Sequence, residues 1–373
     1  MPFDSASPAA RADAATRPLR LLWLPEDPAD AGAMLALRAL GHGVVPFLPD
    51  AGGPMRPWSS PLLGLARGAG VARQLAAPAA AMAAGCRVAH AATRSRCGHI
   101  HAVGAGTAAA AVVGARIAGL TVSVALADAA PDFGRAALRA VLDAADLVLA
   151  PSLGVAESLR RIAPGLRLRL VPHGVDATRL LPAAADAPRN GRLLAAGPLV
   201  AANGFDVLLS ALARLPRARR PSLDILGQGP LRQGLERRAE ALGIDDTTRF
   251  LGARPASWLA RQGNAYLGMV LPMSAPVAGA DAAPGLAKAG LALGLPVLAT
   301  ALPGLAEVIA PEVGHLVPAG DVAALAEALF WLGRMPAQRR QAIGAAGRER
   351  AELLYSTAGE ARGLASALAA LSA

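Results

Sequence analysis

Short apolar runs closed by Gly or Pro alternate along this chain with Ala/Leu/Arg segments of helical length. Continuously apolar runs suit strands buried on both faces, and their alternation with helical segments is the mark of repeated βα units around a parallel sheet. The pattern predicts strands at 19–25, 43–49, 99–104, 120–126, 145–151 and 168–174. A stretch rich in Pro, Ala and polar residues, "LLPAAADAPRNG", then reads as a linker, and the pattern restarts at 192–199, 222–227, 248–252, 266–272, 296–300 and 314–318. Two doubly wound α/β domains facing a cleft are expected, with ligands at the carboxyl ends of the strands. The expected division is a disordered tail at 1–18, a first domain at 19–180, a linker at 181–191 and a second domain at 192–350. The strandless tail at 351–373 is expected to form a helix crossing back to the first domain.

A length of 373 residues agrees with two domains. The composition, 54% apolar, 17% charged and 3% aromatic, is that of an Ala-rich globular protein. Its net charge of +10 is carried almost wholly by arginine, which suits phosphorylated substrates or an anionic surface. Nucleic acid is the weakest partner class, because the basic residues form no stripe in the sequence and aromatics are scarce. Cys86 and Cys97 make neither a metal spacing nor a disulfide framework, so a reducing cytoplasm is the default. The first residues carry acids and no apolar core, unlike a signal peptide. Arg87 and Arg116 interrupt the most apolar tracts, which argues against a membrane span. Peripheral contact at the inner face of the membrane is the most to expect, through "LLGLARGAGVARQL" (62–75), which mixes leucine with arginine.

Several positions carry candidate chemistry. Gly227 and Gly229 in "ILGQGP" fall at a strand-to-helix turn, where a backbone without Cβ can approach a phosphate or simply turn tightly. His173, in "VPHGVD", closes a strand near the linker. Glu307, in "PGLAEVI", falls near a helix start, where a carboxylate favours the helix dipole whether or not it has another role. His99 and His101 share one strand face and so offer two metal ligands without an evident third; no metal is expected. Lys288 is the only lysine in the chain, and its plainest reading is a solvated side chain on a helix.

The segments "ADLVLAPSLGVAESLRR", "LVPHGVDATRLLPA", "AAGPLVAANGFDVLLSAL", "LDILGQGPLRQGLERRAEALGI", "GLALGLPVLATALPGLAEVI" and "GHLVPAGDVAALAEAL" resemble the retaining sugar-nucleotide glycosyltransferases of family four (group 1). Order and spacing match from about residue 145 to 330; the first half resembles the family more weakly. The resemblance implies the two-domain GT-B architecture, a UDP- or GDP-sugar as donor with no other cofactor, and a lipid-linked or glycan acceptor. It implies donor-side roles for Gly197, Asn203, Gly204, Gly227, Gly229, Lys288 and Glu307, and cleft positions for His99, His101 and His173.

The chain also departs from the resembled pattern. The helix that in the family carries a ribose-binding Glu has Lys288 at that place, and Ala280, with Asp281 beside it, stands at the earlier Glu. An ammonium offers no acceptor. The Arg and Lys that neutralise the diphosphate in the family correspond to Pro198 and Asn203, and the sugar-contacting His to Ala127, next to Asp128. Backbone-shaping glycines are kept while charged donor-site groups are not. Asp128, Asp281 and Glu307 are the remaining candidates for catalysis. The expectation is a catalytically degenerate member acting as a binding or partner subunit, for instance of a second glycosyltransferase, in cell-envelope polysaccharide or glycolipid assembly. The alternative is an active retaining hexosyltransferase with a rebuilt donor site.

Overall fold

The computed structural model describes residues 18–25, 32–47, 69–70, 72–73, 78–127, 134–184, 189–274 and 284–371. The expected tail up to residue 17, most of the 62–75 segment, Asp128 and Asp281 lie outside the described residues. Every expected strand is present, in two six-stranded parallel sheets. The first comprises β1 (Arg20–Leu24), β2 (Gly43–Pro46), β3 (His99–Val103), β4 (Thr121–Ala125), β5 (Leu147–Ala150) and β6 (Leu168–Leu170), in the order β2-β1-β3-β4-β5-β6. The second comprises β7 (Arg192–Ala196), β8 (Ser222–Leu226), β9 (Thr248–Gly252), β10 (Gly268–Leu271), β11 (Val297–Thr300) and β12 (Gly314–Val317), in the order β12-β11-β10-β7-β8-β9. Both orders reverse direction once, beside β1 and β3 in the first sheet and beside β7 and β10 in the second, as doubly wound sheets do.

Central strands are buried at every residue, as in β5, β10 and β11, whereas the edge strand β6 has no buried residue and β9 has one. That is why the central runs read as unbroken apolar segments. In β7, Leu193 and Ala195 belong to one apolar cluster and Leu194 to another. Alternate residues of a strand point to opposite faces, so the second sheet has a core on each side. One core joins the helix Phe205–Arg214, through Phe205, Leu208 and Leu212, to Leu325, Leu329 and Leu332 of the helix Val322–Gly333. Asp321 starts the latter helix by accepting from the Ala323 and Ala324 amides, each at 2.9 Å.

The described residues of Met1–Val124, Ala144–Leu147 and Ala361–Ala373 form one compact unit, and those of Ala125–Asp143 and Val148–Glu360 another. The C-terminal region holds the helices Ala337–Leu354 and Thr357–Ala369. Among the described residues no helix is long and apolar enough to cross a membrane.

Candidate functional site

In the second unit, β7 runs into the turn Gly197–Gly204 and β10 into Pro272–Ser274, side by side where the strand order reverses. Open α/β sheets bind ligands at that place. The backbones are pressed together here: a Cβ on Gly204 (φ +63°) would overlap the Pro272 carbonyl oxygen, one on Gly227 the Gly197 carbonyl oxygen, and one on Gly229 would come within 2.5 Å of the Leu199 carbonyl oxygen. The glycines of "GQG" are therefore required by the neighbouring turn of the protein itself. Several amides of these turns are also spent internally, Gly197 on Leu226 O at 3.0 Å, Leu199 on Gln228 O at 2.9 Å and Gly227 on Gly252 O at 3.0 Å.

Asn203, the counterpart of a phosphate-neutralising lysine, donates through Nδ2 to the Pro198 carbonyl at 2.6 Å and is buried. It closes the turn. The hydroxyls of Ser274 and Thr300, following β10 and ending β11, are buried with no hydrogen-bond partner among the described residues.

The solvated reading of Lys288 is overturned. The helix Pro284–Ala292 buries it to 3% exposure. Its Nζ donates to the His173 carbonyl at 2.9 Å and lies 4.9 Å from the centre of the Tyr355 ring. Burial lowers its pKa to about 8, a shift that the charges of Glu360 and then Glu307 partly oppose. An ammonium withdrawn from water needs such partners: a carbonyl, an aromatic face and nearby carboxylates.

The same carboxylates bind further backbone. Glu360 accepts from Gly174 N at 2.9 Å and meets His173 Nδ1 at 3.1 Å. Gly174 allows this approach, because a Cβ there would fall 2.5 Å from the Thr357 nitrogen. Glu307 accepts from the Leu153 and Gly154 amides, at 3.0 and 3.2 Å, at the start of the helix Leu153–Ile162. Its dipole role is thus played on a distant helix and not on its own. Tyr355 Oη donates to the Glu307 carbonyl at 3.1 Å. Lys288, Glu307 and Glu360, with the His173 ring and carbonyl between them, form one polar cluster around backbone.

Sequence reasoning missed Glu360 and Tyr355. Thr357-x-x-Glu360 has the spacing of a local helix-capping box, yet Ser356 Oγ accepts the Gly359 amide while Glu360 reaches to 173–174. It also missed Asp224, a lone carboxylate in the apolar strand "SLDIL". Asp224 is 1% exposed and accepts from Arg192 (2.6 Å), Arg249 (2.9 Å through each oxygen) and Tyr266 Oη (2.8 Å). Burial alone would raise its pKa, but the hydrogen bonds from Arg249, Tyr266 and Arg192 outweigh it and hold the carboxyl low.

In the first unit, His99 and His101 sit on β3 beside the strand reversal, with Trp23 opposite His101 in register. Both rings are buried. His99 bonds Thr121 Oγ1 at 2.8 Å and Ser123 Oγ at 2.7 Å, and His101 bonds Ser123 Oγ at 2.7 Å. The Ser123 hydroxyl carries one proton and so donates to at most one of the two rings. Burial lowers the pKa of His99 to about 4 and that of His101 to about 3, leaving both neutral near pH 7. Among the described residues no group of three His, Cys, Asp or Glu side chains could hold a metal ion.

Residues 186–350 match the family model described as "Glycosyl transferases group 1". No curated protein matches the chain. Among solved structures, a glycosyltransferase from Rickettsia africae is similar with a TM-score of 0.69 at 15% identity, over 93% of this chain and 96% of that one. Anabaena HepE in complex with UDP gives a TM-score of 0.69 at 18% identity, over 94% and 100%. A sucrose-phosphate synthase from Thermosynechococcus elongatus gives 0.67 at 21%, over 92% and 96%. The chain shares the GT-B fold of these transferases.

Proposed function

We propose that the protein is a group 1 glycosyltransferase relative of cell-envelope polysaccharide or glycolipid assembly that has lost ordinary nucleotide-sugar binding and serves as a binding or partner subunit. The observation that carries this reading is Lys288. At the place where the resemblance implies a ribose-binding carboxylate stands an ammonium turned onto the His173 carbonyl and the Tyr355 ring. Asn203, at the place of a diphosphate-binding lysine, is likewise spent on Pro198 O. With two cationic groups and one carboxylate missing from the implied donor site, three charge-assisted hydrogen bonds are lost. At about 1.5 to 3 kcal/mol each before non-additivity, they represent at least about three decades of affinity.

A second reading, an active transferase with a rebuilt site, is favoured by the unpartnered Ser274 and Thr300 hydroxyls at the strand ends. Because HepE is described in complex with UDP, UDP-sugars are the first donors to test, and GDP-sugars the second. The expected result is no thermal stabilisation and no sugar release across both sets at millimolar concentration. Turnover of any donor that disappears in a Ser274→Ala, Thr300→Val double variant would replace the degenerate reading with the active one.

A further inference from the structure

The arginines that the sequence shows as dispersed are brought together at one end of the second unit. The segment "RLPRARRP" (214–221) links the helix Phe205–Arg214 to β8, and "GRMPAQRR" (333–340) follows the helix Val322–Gly333. The first segment runs from a helix into the start of β8 and the second from one helix into the next, Ala337–Leu354; because both preceding helices run back against the strands, both segments lie at the opposite end of the sheet from the glycine turns after β7 and β8. They touch: Arg334 Nη2 donates to the Ala218 carbonyl at 3.3 Å. The guanidinium carbons of Arg219 and Arg334 lie 5.7 and 5.5 Å from the centre of the Phe330 ring, and that of Arg339 lies 5.4 Å from Trp331. These three arginines are exposed, and no carboxylate among the described residues pairs with them. Arg217 alone in this group has one, Asp246 at 2.6 Å. On the same helix the exposed acid Glu327 lies about one turn back from Trp331.

We propose that this surface docks the protein onto an anionic phospholipid membrane. The guanidiniums present forked donors that match phosphate oxygens, and stacking on the rings holds them in place, so fewer rotamers must be frozen on binding. Exposed Pro216, Ala218, Pro336 and Ala337 lie between the arginines and give the surface the mixed cationic and apolar character of a membrane-interface contact. The rings do not serve as open platforms for bases, since arginine already covers them, which disfavours a nucleic acid. The proposal does not depend on donor binding, because the surface is at the other end of the strands.

The test is co-sedimentation of the full chain with vesicles of phosphatidylglycerol and phosphatidylcholine, against phosphatidylcholine alone, at low and high salt. Binding is expected only to the anionic vesicles and only at low salt. The Arg219→Glu, Arg334→Glu, Arg339→Glu variant should lose on the order of 100-fold in partitioning, at about 1 kcal/mol per arginine. The Arg160→Glu, Arg237→Glu, Arg254→Glu variant, with the same net charge and substitutions at other exposed positions, should stay within about threefold of the wild type, and circular dichroism should show both variants folded. Soluble glycerol phosphate at millimolar concentration should not compete. Absence of anionic-vesicle binding, equal losses in the two variants, competition by glycerol phosphate, or patch-dependent binding of duplex RNA without vesicle binding would each overturn the proposal.

Discussion

Lys288 shows how one residue can be conspicuous in a sequence and still be misread there. A lysine among small apolar residues at a helix start is most often solvated, and only the fold brings the His173 carbonyl, Tyr355 and two carboxylates around it. Its depressed pKa means the folded state disfavours the charge. The associated stability is present above the unfolded value of about 10.5 and is lost as pH falls through about 8. Urea unfolding from pH 8 to 10.5 should therefore show a rise in the wild type that is missing in Lys288→Met. At pH 7 that variant should lie within about 1 kcal/mol of the wild type or above it, since apolar groups often replace buried charges without loss. Lys288→Glu should lose about 3 kcal/mol or more, because its carboxylate would meet the His173 carbonyl and the charges of Glu307 and Glu360. Equal stability of the Met and Glu variants would contradict the internal role. Asp224 is the converse case: a carboxylate that passed unnoticed inside the apolar strand "SLDIL", with partners 25 to 42 residues away. Asp224→Ala should cost about 3 to 5 kcal/mol in urea unfolding, leaving Arg192 and Tyr266 without their acceptor. Because its folded pKa is depressed, wild-type stability should fall as pH drops below about 4, and less so in Asp224→Asn.

At the scale of elements the sequence was most informative, because a strand buried on both faces must be apolar throughout, and a βα repeat leaves the same trace each time. All the strands were legible from that pattern; their ends shifted by a residue or a few where flanking apolar residues lead into turns, as in 43–49 against Gly43–Pro46. The glycine turns were legible as turns but not in their purpose. Contact between two backbones, rather than room for a ligand, requires Gly227. Gly227→Ala should thus destabilise by more than about 1 kcal/mol even without ligand. Gly234→Ala, in the helix Arg232–Ala241 with open space around its missing Cβ, should stabilise by about 0.5 to 1 kcal/mol. Thermal unfolding of the two variants side by side decides this, and a neutral Gly227→Ala would contradict the close approach.

For the whole molecule, the two sheets explain why a fold can be recognised at 15 to 21% identity to solved structures: backbone-shaping positions suffice to specify it. Function needs the groups presented at the strand ends, and here the side chains that the sequence singles out are engaged within the protein: those of Asn203, Lys288 and Glu307 on its own backbone, and that of His173 on the Glu360 carboxylate. Those bonds join residues up to 187 positions apart, beyond what local spacing in one sequence reveals. The central claim is that internal bonding has replaced recognition of the nucleotide diphosphate. Isothermal titration calorimetry of the full chain with UDP, and in parallel GDP, tests it most directly. The account predicts no saturable heat at sub-millimolar nucleotide, since enzyme Michaelis constants of about 1 μM to 1 mM would be weakened by about three decades. A clear isotherm with a micromolar dissociation constant, abolished in Lys288→Ala, would contradict it and assign the lysine to the donor phosphates.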